Sequence, residues 1–424
     1  MTDAMGDVSA ASPQSERPPK RTISRGRRAL FTVFALALGL LAAGLLCEAT
    51  FRVLERVASA DEIREGTGAS SEPDPRWGWR PVQGSFRLAT REFDSTGHVN
   101  TLYMNDDPYD PQADGSRTRI LVLSDSHTFP VGASVDESWA KRLERGLGEI
   151  YAPHEFRCYN ASAPGYSMHQ YLVRLIDQGP LLEPHYVVVG LSYATDLYDL
   201  LPPDHGGWMS GPGLQMARDY FDLDDNGTLV ERRWDPDDVA PEQQAGRRNV
   251  ARAVRSVLSN LATFRYLRRS SLALFVGSKV KLGGQSLWPN MEVVVEREIA
   301  PGHEYGWRLF CALLERIQQE SRALGAELIV VGIPYLPQVY DEIWQQTFGG
   351  DSRFSPTAAN ERVRAFCEEQ GIVYIETLDA LRDAHEQTGR WMHHRRDAHP
   401  TPEGHEVIAR TVLEAEVFAP RVEP

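Results

Sequence analysis

The stretch RILVLSDSHTFPVG, residues 119–132, joins an apolar run to a polar turn. Its first six residues form a short, mostly apolar run, as expected of a strand that is covered on both faces of a sheet. Ligands of open parallel α/β sheets bind at the carboxyl ends of the strands. Ser126 follows the strand, where backbone N–H groups of the next turn can stabilise an oxyanion. The alternative is that Asp125 and Ser126 only form a turn or a helix cap.

The same alternation of strand and helix continues along the chain. Strands are predicted at 119–124, 156–162, 186–192, 326–334 and 372–377. Helices are predicted at 136–150, 167–180, 305–324, 358–370 and 402–416. This order predicts an α/β fold, a three-layer α/β/α sandwich with a five-stranded parallel sheet. Residues 197–304 interrupt it as an insertion that shapes access to the site, with a hairpin at Asn226-Gly227 and helical material near 245–275.

A serine hydroxyl is a poor nucleophile until a base takes its proton, and that base is held by a carboxylate. Near the C-terminus, Asp397 and His399 lie two residues apart on a predicted loop ahead of a helix. Gly165 follows the second predicted strand, and its N–H is a candidate oxyanion donor because glycine allows close approach of the backbone. The third strand ends near Thr195, where a side-chain donor is expected.

Four stretches carry a family resemblance: SDSHTFPVG, NASAPGYS, LSYATDLYD and DAHPTPEGH. In this order they resemble the conserved blocks of the SGNH/GDSL hydrolase superfamily, over residues 119–200 and 326–416. The resemblance implies a flavodoxin-like sheet, with Ser126 as nucleophile, His399 as base and Asp397 as its carboxylate. It also implies an oxyanion site formed by Ser126, Gly165 and Thr195.

The chain departs from the family pattern at three points. Ser124 replaces a glycine in the first block, and Thr195 replaces the asparagine of the third, which shortens the reach of that donor. The Asp-x-His spacing of Asp397 and His399 resembles the alginate O-acetyltransferase-like branch. His127 and Tyr166 follow the nucleophile and the oxyanion glycine, so they are candidate substrate contacts or packing groups.

The N-terminal region predicts a membrane anchor. Residues 1–28 carry six basic and three acidic groups and are predicted to be a disordered cytoplasmic tail. Residues 29–47 contain no charge and are long enough for one transmembrane helix. The basic residues before this run place the N-terminus in the cytoplasm and residues 48–424 outside it. A cleaved signal peptide is the alternative, but it would have a shorter apolar core and a small-x-small cleavage site.

Beyond the anchor, residues 48–115 are predicted to be a juxtamembrane helix and an irregular pre-domain. Within it, the aromatic segment 73–81 is expected to pack on the main domain. Residues 116–424 are predicted to form the SGNH hydrolase-like domain, with its insertion at about 197–304.

Composition excludes some partners. A net charge of −14 disfavours nucleic acid as a partner.

The histidines near the C-terminus match no common zinc spacing, so no metal and no cofactor is expected. Residues 222–227 resemble the start of a calcium loop, but Arg233 occupies the position of its bidentate glutamate. The four cysteines suit buried apolar positions, although a Cys158–Cys367 disulfide stays open outside the cytoplasm.

Three functions remain open at this point. The first is a membrane-anchored serine esterase acting on ester-bearing glycans or lipids of the cell envelope. The second is an O-acyltransferase that modifies an extracellular polysaccharide. The third is a non-catalytic protein that keeps the fold for binding or assembly, for which Ser126 and His399 should lie beyond hydrogen-bond distance.

Overall fold

The structure is a computed structural model, and it describes residues 31–50, 52, 71–201, 218–234 and 291–421, apart from 33, 37, 40, 41, 91 and 396. Its strands are β1 (Ser71–Asp74), β2 (Gly78–Pro81), β3 (Gly84–Ala89), β4 (Asp94–Val99), β5 (Thr118–Ser124), β6 (Phe156–Asn160), β7 (Tyr186–Ser192), β8 (Arg218–Leu223), β9 (Leu229–Trp234), β10 (Glu327–Ile333) and β11 (Val373–Glu376).

Helices follow and separate these strands. They are α1 (Pro111–Asp114), α2 (Trp139–Ile150), α3 (Met168–Leu182), α4 (Tyr193–Asp199), α5 (Glu292–Val295), α6 (Glu304–Ala323), α7 (Leu336–Val339), α8 (Asp341–Thr347), α9 (Ala358–Gln370), α10 (Leu378–Thr388) and α11 (Pro402–Glu414). The five predicted strands of the sheet and the five predicted helices are therefore confirmed, with ends that differ by a few residues.

A five-stranded parallel sheet organises the fold, in the order β11-β10-β7-β5-β6. Every residue of β5, β6 and β7 is buried. Successive side chains of a strand point to opposite faces. Accordingly, Leu121 and Leu123 join the apolar cluster on one face of the sheet, and Ile120 and Val122 join the cluster on the other. These two clusters explain why the strands read as continuous apolar runs.

The strand order places the site. β5 lies between β6 and β7, so the chain winds away from β5 on both sides. Such a switch point leaves a crevice beyond the carboxyl ends of the strands. Ser126 lies two residues past the end of β5, at this crevice.

Residues 71–99 differ from the prediction of an irregular pre-domain. They form two antiparallel hairpins, in which β1 pairs with β2 and β3 pairs with β4. In the first turn, the Asp74 carboxylate accepts the N–H groups of Arg76 and Trp77 at 2.9 and 2.8 Å. Gly78 then has φ of +85°, which glycine adopts without strain. The expected packing of segment 73–81 on the main domain is confirmed, because Trp77 and Trp79 are buried in the core.

A buried ionic cluster attaches the next segment to the sheet. Asp106 accepts from Arg157 Nη1 at 3.1 Å and from the Asn160 N–H at 3.1 Å. Lys141 Nζ donates to Asp107 at 2.7 Å and to Glu144 at 2.6 Å. Buried charges need such partners, and removing one partner leaves another charge uncompensated. The segment around 100–114 is therefore part of the same folded unit as β6 and α2.

The predicted anchor lies partly outside the described residues. Wherever the structure describes residues 31–50, they are helical. None of the described helices is both long and apolar enough to cross a membrane. The transmembrane segment at 29–47 thus stays a prediction. The juxtamembrane helix at 48–58 and the helical material near 245–275 also lie largely or wholly outside the described residues.

The insertion contains the predicted hairpin, in which β8 pairs with β9 around Asn226-Gly227. Asp224 accepts the N–H groups of Asn226 and Thr228 at 2.9 and 2.8 Å, as a turn residue does. Within the described part of the chain, no three His, Cys, Asp or Glu side chains form a group able to hold a metal ion.

The four cysteines are free. Cys158 packs in the cluster on one face of the sheet and Cys367 in the cluster on the other. The sheet separates these two thiols, so the Cys158–Cys367 disulfide left open by the sequence is wrong. Both residues act as small apolar groups of the core.

Buried histidines make stability depend on pH. Burial lowers the pKa of His405 to about 3, helped by the charge of Arg142, and burial also lowers those of His169 and His393 to about 3. The pKa of a histidine in an unfolded chain is about 6.5. Between these values the unfolded chain binds protons that the folded chain excludes, so the free energy of unfolding decreases as pH falls.

We expect urea midpoints measured between pH 7.5 and 5 to fall with pH, and His405→Asn to reduce that slope. Asparagine keeps an acceptor near the position of His405 Nδ1, which faces the Trp139 N–H at 3.4 Å. An unchanged slope in the variant would show that His405 is not a source of the pH dependence.

Candidate active site

The structure brings together the three residues predicted to form a triad. Ser126 Oγ lies 2.8 Å from His399 Nε2. His399 Nδ1 hydrogen-bonds Asp397 on the other side of the ring. This geometry fits a neutral imidazole that donates from Nδ1 to the carboxylate and accepts the serine proton at Nε2. The side chain of His399 is 20% exposed and that of Asp397 34%, so the site opens to solvent.

A tight loop between α10 and α11 positions the base. The His394 N–H donates to the His399 carbonyl at 2.8 Å, and the Ala398 N–H donates to the His394 carbonyl at 2.8 Å. Ala398 adopts φ of +75°, a conformation that a side chain disfavours. His394 Nε2 lies 3.3 Å from the Gly132 carbonyl, which joins this loop to the loop after the nucleophile.

Asp397 is suited to hold the imidazole. Partial burial alone would raise the pKa of this carboxyl, but the hydrogen bond and charge of His399 outweigh that effect and lower the pKa. Asp397 therefore stays ionised at neutral pH and favours the tautomer that leaves His399 Nε2 free to accept.

Two backbone donors are available for an oxyanion. Within the described part of the chain, neither the Ser126 N–H nor the Gly165 N–H donates a hydrogen bond. Gly165 is exposed and has φ of +76°. The Ala163 N–H donates to the Ser124 carbonyl at 3.3 Å, which holds the loop after β6 against the end of β5. Two free donors at one sheet edge are what an oxyanion hole requires.

Thr195 does not act as the third oxyanion donor in this structure. Its hydroxyl donates to Asp125 Oδ2 at 2.7 Å. A hydroxyl has one proton, so this bond leaves none for an oxyanion. A buried carboxylate within reach of the short threonine side chain takes its proton here, and the donor role expected from the family asparagine stays a prediction.

Tyr166 is a packing group rather than a substrate contact. Its side chain is buried, and its hydroxyl donates to the Trp79 carbonyl at 2.7 Å. The two rings meet edge to face, with centroids 5.7 Å apart. The chain turns inward after Gly165, which directs the tyrosine into the core.

His127 lies at the candidate site, facing both the Asp125 carboxylate and the His399 ring. Its Nδ1 is 3.3 and 3.2 Å from the two oxygens of Asp125. Its ring centroid is 5.0 Å from that of His399. The structure places this ring beside the reacting groups, and contact with substrate remains a prediction.

The sequence missed Trp79 as a residue that supports the oxyanion loop. Its Nε1 donates to the Pro164 carbonyl at 3.0 Å, directly before Gly165. A Cβ placed on Gly165 would lie 3.4 Å from the Trp79 ring. Because Tyr166 donates back to the Trp79 carbonyl, hairpin β1–β2 holds the loop on both sides of Gly165. The aromatic segment 73–81 was the only sequence signal for this contact.

Trp79→Phe should lower kcat for p-nitrophenyl acetate by about tenfold with little change in KM. The ring stays, but the bond to Pro164 is lost, and an oxyanion contact acts only in the transition state.

Trp77→Phe is the matched control, because it likewise removes one indole hydrogen bond, from Trp77 to Asp177 at 2.8 Å. Each variant should lose about 1 kcal/mol of stability. An equal loss of kcat in both variants would contradict a specific role for Trp79.

No protein-family model and no curated protein matches this chain. An acetylxylan esterase from Geobacillus stearothermophilus, Axe2, is 12% identical; the match covers 72% of this chain and 96% of that one, with a TM-score of 0.37. Esterase EstA from Pseudoalteromonas sp. is 11% identical, with coverages of 70% and 95% and a TM-score of 0.34.

A G-D-S-L family lipolytic protein from Veillonella parvula is 10% identical, with coverages of 71% and 99% and a TM-score of 0.35. At such scores the likeness supports no statement about chemistry, which rests here on the geometry of Ser126 and His399. The structural neighbours described here are two esterases and a lipolytic protein of the G-D-S-L family.

Proposed function

We propose that this protein is a serine-dependent ester hydrolase with Ser126 as its nucleophile. The observation that carries the proposal is the 2.8 Å contact between Ser126 Oγ and His399 Nε2, with Asp397 on the other ring nitrogen. A serine, a base and an orienting carboxylate in this arrangement form an acyl-transfer site regardless of fold.

The mechanism uses two steps. His399 Nε2 takes the hydroxyl proton while Ser126 Oγ attacks the ester carbonyl, and the N–H groups of Ser126 and Gly165 stabilise the oxyanion. The C–O bond to the alcohol then breaks, and His399 returns the proton to the leaving oxygen. Water then attacks the acyl-enzyme with His399 again as base. The bond from the acyl carbon to Ser126 Oγ breaks, the carboxylic acid leaves, and His399 returns the proton to Ser126. No cofactor takes part in these steps.

The proposed substrates are ester-bearing glycans or lipids of the cell envelope. The predicted anchor at 29–47 and the basic residues before it support a catalytic domain outside the cytoplasm. A single-pass anchor would keep the enzyme close to such substrates. The acidic net charge of −14 favours these partners over nucleic acid.

An O-acyltransferase acting on an extracellular polysaccharide is the second candidate. The Asp-x-His spacing of Asp397 and His399 favours it through its resemblance to the alginate O-acetyltransferase-like branch. The non-catalytic alternative required Ser126 and His399 to be out of contact, and the hydrogen bond between them argues against it.

Ser126→Ala in the full-length chain should reduce hydrolysis of p-nitrophenyl acetate by about 10³-fold or more, because the nucleophile is removed. Ser352→Ala, at an exposed position, is the control and should leave the rate unchanged. Equal rates for wild type and Ser126→Ala would refute the triad. Adding a polysaccharide acceptor to the assay separates the two candidates, since only a transferase moves acetyl groups onto it.

Localisation can be tested with C-terminal fusions in living cells. Alkaline phosphatase fused after Pro424 should be active, because that enzyme folds only outside the cytoplasm, and the protein should resist extraction at alkaline pH. Deleting residues 29–47 should abolish both. An inactive phosphatase together with a fluorescent cytoplasmic reporter at the same position would contradict the proposed topology.

A further inference from the structure

A second imidazole lies beside the nucleophile and has no role in the triad. Asp397 orients His399, whereas His127 is held separately by Asp125. The two imidazole centroids are 5.0 Å apart. Ser126 is therefore flanked in sequence by a second His–Asp pair, and the chemistry of ester cleavage does not require it.

The second ring nitrogen of His127, Nε2, is accessible rather than buried in the core. Among the described residues, the buried Nε2 atoms of His169, His393 and His405 have no hydrogen-bond partner. The Nε2 atom of His127 also has no hydrogen-bond partner among the described residues, but unlike those three atoms it is not fully buried. The exposed part of the side chain, 6% in all, therefore includes this nitrogen.

The Asp125 carboxylate determines which ring nitrogen of His127 carries the proton. Asp125 is 1% exposed and accepts from the Ser192 hydroxyl at 2.7 Å, from Thr195 and from the His127 N–H at 2.9 Å. Burial alone would raise the pKa of Asp125, but the charge and hydrogen bonds of His127, with Ser192, lower it to about 2. An ionised Asp125 fixes the proton of a neutral His127 on Nδ1, so Nε2 is a hydrogen-bond acceptor.

We propose that His127 Nε2 accepts a hydrogen bond from a second hydroxyl group of the substrate, so that the enzyme selects esters of vicinal diols such as those of sugar rings. The inference rests on the proposed function and narrows its substrate class. Oxygens on adjacent carbons lie close enough for one to face His399 while the other faces His127. A sugar ring offers this pattern wherever an esterified carbon has a neighbour with a free hydroxyl group.

The reaction itself is unchanged by this contact. When the tetrahedral intermediate collapses, the bond from the acyl carbon to the sugar oxygen breaks, and His399 donates its proton to that oxygen. The neighbouring hydroxyl keeps its own proton and donates a hydrogen bond to His127 throughout. His127 therefore contributes to specificity by holding the alcohol in line.

The test compares three acetate esters with the full-length protein: 2-hydroxyethyl acetate, 3-hydroxypropyl acetate and propyl acetate. Only the first is the ester of a vicinal diol. Wild type should prefer it over propyl acetate by about tenfold in kcat/KM, the size expected of one hydrogen bond, with 3-hydroxypropyl acetate in between. p-Nitrophenyl acetate has no second hydroxyl and reports the triad alone.

His127→Asn is the informative variant, because its amide can still donate to Asp125 while the Nε2 acceptor is gone. It should abolish the preference for 2-hydroxyethyl acetate over propyl acetate, a ratio that is measured within the variant and does not depend on its absolute rate. His98→Asn, exposed on β4, is the matched control and should keep the preference.

The outcomes separate the two proposals. If wild type hydrolyses p-nitrophenyl acetate but shows no preference among the three esters, the inference is wrong and the esterase proposal stands. A preference that survives in His127→Asn also overturns the inference. If wild type hydrolyses none of the four esters, the esterase proposal fails and the inference fails with it. The wild-type comparison needs no variant, so it tests the inference even if His127→Asn does not fold.

Discussion

The Asp125 carboxylate is the contact on which the arrangement of the site depends. It lies between the end of β5 and the nucleophile, and it is charged in a place that water barely reaches. Ser192 and Thr195 donate to it from the end of β7 and the start of α4. A buried charge must collect donors, so this carboxylate draws the loops of two neighbouring strands together. Ser126 is presented to His399 on the turn that this anchoring stabilises.

Much of the fold follows from local pattern because its strands are buried on both faces. A strand between two apolar layers must be apolar at every position, and such runs as 186–192 stand out in the sequence. The hairpins at 71–99 lack that signal, since their strands are short and, apart from β2, largely exposed or half-buried. Only β3 alternates polar and apolar residues, so the sequence predicted an irregular segment.

The triad could be predicted because its members occur in ordered blocks at strand ends, and the sheet brings those ends together. The direction of a side chain could not be predicted in the same way. Thr195 occupies the position of a donor, but its proton goes to the nearest buried charge. Trp79 reaches Pro164 across 85 positions in the chain. Contacts of that kind depend on the packed structure and leave no periodic trace.

Because hairpin β1–β2 holds the Gly165 loop, the folded domain begins before residue 116. The sequence predicted a domain that starts at 116. Trp79 and Asp106, however, hydrogen-bond Pro164 and Asn160 within that domain. Residues 71–115 are thus a structural component of the folded domain, comparable to a strand of the sheet. A recombinant form cut at 116 would lack the hydrogen bonds that join Trp79 to the Gly165 loop and Asp106 to the end of β6, both beside the candidate site.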